Sequence, residues 1–138
     1  MIPFLELILA CGIVIALLII FVSIRTRRTS SFDRQYFKNE WAKVLKPLSL
    51  GEQGWRLAII DADKLLDHAL KQHGARGQSM GDRMRDREKY FSHYNDLWAA
   101  HKLRNRLVHE PGVTLGKQLT HRALNEFQRA LKELGALL

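Results

Sequence analysis

Cysteine is nearly missing from these 138 residues: the one present, Cys11, lies inside an apolar run. No disulfide can close within the chain, which excludes the cross-linked secreted scaffolds and suits a reducing compartment. Neither a Cys pair nor an HExxH helix is present, so no zinc motif is written in the sequence. His93, His101 and His109 are spaced by eight and turn about 80° round a helix at each step, so they do not converge. No metal and no cofactor is implied. Strand-like alternation of apolar and polar residues is absent, as are internal repeats and low-complexity tracts. Gly74-Ala75-Arg76-Gly77 follows a helical pattern and opens none after a strand, so it is not a phosphate cradle. No Ser/His/Asp or Cys/His nucleophile stands out.

Charge is also missing, over one long stretch. Leu7–Ile24 carries none, and Glu6 is the only charged residue before it. At about 1.5 Å per residue, residues 2–24 span roughly the 30 Å hydrocarbon layer. A secretory signal would need a basic start and a shorter apolar run, so a retained transmembrane helix is expected. Arg25, Arg27 and Arg28 follow directly, and no Lys or Arg precedes. The positive-inside rule therefore sets the N-terminus outside and the rest of the chain in the cytoplasm of a single-pass membrane protein. The three arginines could also meet anionic lipid headgroups.

What is present in excess is positive charge. The formal net charge is +8. Setting residues 1–31 aside leaves 19 basic and 13 acidic residues, a net charge of +6. A basic domain of this size suits a polyanionic partner, nucleic acid or anionic lipid, although a solvated tethered domain would look the same.

Beyond the linker Thr29–Ser31, apolar residues recur at helical spacing. A first helix is expected from about Ser31, its cap, to Lys46, with Phe32, Tyr36, Phe37, Trp41, Val44 and Leu45 inward and Pro47 as the stop. A second runs from about Gly51 to His73 and ends at Gly74. After a flexible Gly74–Gly81 loop, a third helix, or a broken pair, covers about Asp82–His109. Its opening charges, Arg83, Arg85, Arg87 and Lys89 among Asp82, Asp86 and Glu88, read as a solvated face. Pro111-Gly112 ends it, and a last helix spans about Thr114–Leu134, with Leu119 inward. The expected fold is all-α: a small up-and-down bundle of four to five helices behind one N-terminal transmembrane helix. The divisions are 1–28 for the anchor and its basic flank, 29–50 for the linker and first amphipathic helix, and 51–138 for the helical domain. Trp41, Trp55 and Trp98 fall on apolar stripes and read as core.

One residue breaks the pattern. Leu97, Ala100, Leu103, Leu107 and Val108 fill one arc of the third helix, and Arg104 sits in its middle. His101, Asn105 and His109 recur every four residues along one border. A buried guanidinium needs a carboxylate, a phosphate or a partner surface. Asp61 and Asp63, flanking the apolar arc of the second helix, could supply the carboxylate. In that case Arg104 is a structural ion pair, and His109 caps its helix.

The run Arg104-Asn105-Arg106-Leu107-Val108-His109, together with Ala62-Asp63-Lys64-Leu65-Leu66 and Ala69-Leu70, resembles the HEPN family of nucleotide- and RNA-binding helical domains over about Gly51–Leu134. Many such domains are metal-independent endoribonucleases that dimerise, so the resemblance implies a homodimer acting on RNA or nucleotide. By position, Arg104 would hold the scissile phosphate, His109 would move a proton, and Asn105 would orient His109 or the RNA backbone. The chemistry is coherent. Attack by a ribose 2′-OH needs a group that titrates near neutrality and a fixed cation for the phosphoryl oxygens. Some HEPN toxins carry x-Tyr after the histidine, whereas Glu110 and Pro111 stand here. Other HEPN domains are inactive scaffolds. The rival expectation, from a different class, is thus a non-catalytic, membrane-tethered scaffold that binds a protein partner or anionic lipid.

Overall fold

The computed structural model describes residues 4–26 and 32–138. They form six α-helices and two short 3-10 turns, and there is no strand among the described residues. The chain divides into two units, Met1–Ser30 and Ser31–Leu138.

The first unit holds α1, Phe4–Thr26. It is apolar on every side, and Glu6–Ser23 includes a stretch long and apolar enough to cross a membrane. Its side chains over that stretch are exposed. Arg27 and Arg28 lie outside the described residues, as does Ser31, the expected cap of the next helix.

The second unit opens with α2, Arg34–Leu45, where Asp33 takes the capping role and accepts from the Tyr36 N–H at 3.0 Å. An aspartate oxygen satisfies a backbone donor that the first turn leaves free. Phe37, Trp41 and Val44 are buried, while Tyr36 and Leu45, expected inward, are exposed. Pro47 ends the helix as expected, and the chain tightens into a 3-10 turn over Lys46–Leu50. This segment packs into the same core as the rest of the unit.

Next comes α3, Glu52–Gln72, the central helix, packed against α2, α5 and α6. Ala58, Ile59, Ala62, Leu65, Leu66, Ala69 and Leu70 recur at three and four residues and are buried. Each large one contributes about 1.5–3 kcal/mol by leaving water. Gly54 lets α3 touch the preceding turn: a Cβ there would lie 1.7 Å from the Pro47 carbonyl oxygen. The helix closes at Gly74 (φ 78°), with the Ala75 N–H donating to Leu70 O at 2.9 Å. That six-to-one bond satisfies a carbonyl the last turn would leave bare.

The expected third helix is two. Residues Met80–Asp86 form α4, opened by a reciprocal Ser79/Asp82 capping box. A 3-10 turn over Glu88–Tyr90 and an extended Phe91 separate it from α5, Tyr94–His109. The last helix, α6, is Lys117–Glu133. Thr114 lies in the extended approach to it, and Leu119, expected inward, is exposed. Val113 and Leu115 tuck that approach into the core, and the Leu115 N–H donates to Glu52 at 3.1 Å. The result is the expected all-α bundle.

Candidate functional site

Arg104 leaves α5 toward α3 and meets Asp63, a carboxylate only 2% exposed. Arg104 Nε lies 3.2 Å from Asp63 Oδ2. That Nε is buried and donates no hydrogen bond, so the attraction is Coulombic. Its Nη1 donates to Asn105 Oδ1 at 2.9 Å. On the other side of the carboxylate, Asp63 Oδ1 is 2.8 Å from His101 Nδ1. The circuit closes between His101 Nε2 and Asn105 Nδ2, 3.3 Å apart.

The donor and acceptor roles in this ring follow from its one unambiguous member. A guanidinium only donates, so Asn105 must turn its oxygen to Arg104 and its amide nitrogen to His101. His101 Nε2 then accepts, which assigns its proton to Nδ1, facing Asp63. Both Asp63 oxygens are engaged, and one negative charge faces one positive charge between two helices. Asp61, the other candidate partner, is exposed and pairs with Lys64 at 3.6 Å.

The three residues nominated from the sequence do not form one cluster. Arg104 and Asn105 are joined. His109 is exposed at the C-terminal end of α5 and makes no side-chain hydrogen bond among the described residues. Five residues of helix turn it about 140° away from Arg104. Asn105, expected to reach His109, bonds His101 instead. Val108, expected inward, is exposed, while Leu107 beside it is buried. His101 was visible in the sequence only as the border of a polar stripe. Its pairing required knowing that Asp63 faces α5.

Toward solvent the ring is bordered by Trp98, whose ring centre is 5.7 Å from that of His101. Arg85 lies over Trp98 at 5.3 Å, a cation on an aromatic face. The charged run of α4 is not a solvated face throughout. Arg83 is buried and forms a two-pronged pair with Asp67, Nε to Oδ1 at 2.7 Å and Nη2 to Oδ2 at 3.0 Å. Burial pushes the Asp67 pKa up, but Arg83 and Lys71 outweigh it and hold the carboxyl below 3.8.

His93, Asp96 and Glu126 bring ligand-type atoms within 4.8 Å of one another, a grouping formed between α5 and α6. Arg129 Nη1 donates to both Glu126 oxygens at 2.9 Å and also contacts His93. A guanidinium already balances the carboxylate, which leaves little for a cation to gain.

Trp41 is nearly buried, and its indole Nε1 has no hydrogen-bond partner. No protein-family model, no curated protein and no solved structure matches this chain.

Proposed function

We propose that the chain is a membrane-tethered, HEPN-like helical domain that acts as a non-catalytic docking module for an anionic partner. α1 is the tether, with the N-terminus outside and the basic bundle in the cytoplasm. The length and uniform apolarity of α1 and the arginines at 25, 27 and 28 support the tether. The observation that favours docking over catalysis is the closed Arg104–Asp63 pair. A guanidinium set to hold a scissile phosphate must offer uncompensated charge where negative charge develops. Here a buried carboxylate already compensates it, and the histidine that would move the proton points elsewhere.

Metal-independent RNA cleavage is the second reading. One feature favours it: Arg104 Nη2 donates no hydrogen bond, and 24% of the side chain is open. In that reading, two copies supply paired Arg104, Asn105 and His109 sets to one cleft, as the HEPN resemblance implies.

The test is incubation of the full chain in detergent with mixed RNA and EDTA, beside Arg104→Ala and His109→Ala. The docking reading expects intact RNA throughout, with Arg104→Ala lowering Tm and His109→Ala leaving it unchanged. RNA cleavage lost in both variants would overturn it and assign a ribonuclease.

A further inference from the structure

Arg34, Lys38 and Trp41 of α2 face Lys132 of α6 and the last two residues, Leu137 and Leu138, across a groove of about 350 Å³. Three cations ring it, and among the described residues none of Arg34, Lys38 or Lys132 forms an ion pair with a carboxylate. Among the described residues, the Arg34 side chain donates only to the Gly135 carbonyl, at 3.3 Å. In other clefts of the unit Lys43 is matched by Glu40, Lys64 by Asp61 and Arg129 by Glu126. Lys89, Lys117 and Arg122 line clefts without an ion pair among the described residues, so what sets this groove apart is the buried indole of Trp41. The lining is mixed, with Trp41 and Leu137 apolar among the polar heads. Trp41 adds the buried indole N–H that lacks an acceptor, a state that costs about 1–3 kcal/mol when nothing fills it.

Unmatched cations, an apolar wall and an orphaned donor together describe a receptor for an anion attached to a greasy chain. We propose that this groove binds the phosphate headgroup of an anionic phospholipid. Lys38, Lys132 and Arg34 would meet the phosphate oxygens, and the glycerol–acyl root would lie along Leu137 and Trp41. The inference rests on the membrane-tether reading, because a tether raises the local concentration of headgroups far above that of any free amphiphile. It is separate from the Arg104 ring and does not depend on what that ring does. A diffuse basic field would attract the same lipid without a groove, so the discriminating variants alter the groove alone.

The experiment uses the full chain in nanodiscs of phosphatidylcholine, with or without phosphatidylglycerol, followed by the ¹⁵N–¹H indole resonance of Trp41 and by amide exchange over α2. Phosphatidylglycerol should move the Trp41 indole resonance and slow exchange on the order of tenfold, the protection given by a ligand near ten times its Kd. Lys38→Glu with Lys132→Glu should abolish both effects. The charge-matched control Lys102→Glu with Lys117→Glu should keep them, since both residues are exposed and outside the groove. Trp41→Phe should lose most of the added protection while keeping or raising Tm, because it removes an unsatisfied donor and little volume.

Several results would overturn the proposal. One is an indole resonance indifferent to phosphatidylglycerol. Another is equal loss in the charge-matched control, which would mean a diffuse field. A third is an equal shift with inorganic phosphate in phosphatidylcholine discs, which would make the ligand a free anion. A chain that stays soluble and never enters the discs would overturn the tether and the lipid site together.

Discussion

Arg104 on α5 and Asp63 on α3 hold each other across the helix pair, with Nε 3.2 Å from Oδ2 and the carboxylate almost fully buried. Their contact turns an arginine on an apolar arc into part of the core's specification. Register between α3 and α5 must keep this pair together, because either charge left alone in that position is costly.

Removing one partner should therefore cost more than removing both. Asp63→Ala is expected to lower stability by about 3 kcal/mol, the low end for a broken buried pair, because Arg104 reaches some water. Asp63→Leu with Arg104→Met should recover much of that loss, since apolar replacements leave no stranded charge. Urea denaturation of Asp63→Leu, Arg104→Met and the double variant gives the coupling. A cycle that adds to zero would mean the pair is not coupled in the folded protein.

Asn105 and His109 were equivalent from the sequence, one turn apart on the same stripe, and the structure separates them. Asn105→Leu would strand both His101 Nε2 and Arg104 Nη1, at a cost of about 1–3 kcal/mol. His109→Ala should stay within about 0.5 kcal/mol, as for an exposed position without partners. Thermal unfolding of both variants checks the contrast. Equal losses would show that His109 is built into the fold.

The helices themselves were largely legible because their cores repeat at three and four residues and their ends carry Pro47, Gly74 and Pro111-Gly112. The anomaly at Arg104 was legible for the same reason, as one charge inside a regular arc. Its partner was narrowed to Asp61 or Asp63, two residues that lie about 200° apart on a helix. Choosing between them required the rotation of α3 against α5, which is set by many side chains at once. Arg83 reads as solvated from the sequence because it sits in a run of alternating charges, Asp82 to Lys89, that carries no apolar residue except Met84. Only the return of α4 over α3 brings Asp67 to it. The groove at Trp41 joins residues about ninety positions apart, and no local pattern announces it.

Arg83 gives the sharper test of that misreading. Its planar fork matches the Asp67 carboxylate with two bonds, and Nη1 also donates to Gly77 O at 2.9 Å. Lysine keeps the charge but cannot reproduce the fork. Arg83→Lys is expected to cost about 1–2 kcal/mol of stability, against at most about 0.5 kcal/mol for the exposed Arg85→Lys. Because Asp67 is held below 3.8, its contribution is full above that pH and is lost as pH falls further. Arg83→Lys should weaken this acid-side dependence, measured by denaturation midpoints from pH 5 down to about pH 2.

Gly54 is required by space, since helix geometry alone would accept alanine. Its Cβ would overlap the Pro47 carbonyl, a backbone atom that cannot rotate away. Gly54→Ala should push the 3-10 turn off α3 and lower Tm strongly, by more than any surface Gly→Ala change. Gly116→Ala, with nothing near the added carbon, should leave Tm almost unchanged. Paired melting curves distinguish the two, and a harmless Gly54→Ala would place the turn elsewhere.

His73 connects the fold to pH in the neutral range. Burial, with the nearby Arg87 charge, lowers its pKa below 6.5. Arg87 Nε sits 3.1 Å from His73 Nδ1, so the ring must present a lone pair there and remain neutral. Tyr90 packs edge-on against the same ring at 4.7 Å, and Phe32 stacks on it at 6.2 Å. A group whose folded pKa is depressed stabilises the fold above its unfolded pKa, here about 6.5, and that stability drains as pH falls through the folded value. Protonation would replace a hydrogen bond with two facing cations. Stability should thus decline as pH drops from about 6.5 toward 5, and exchange protection at the α3–α4 junction should fall with it. His73→Gln keeps an acceptor for Arg87 but does not titrate, so it should flatten this part of the profile. If the decline is equally steep in His73→Gln, another group carries it and the neutral His73–Arg87 contact is not the sensor.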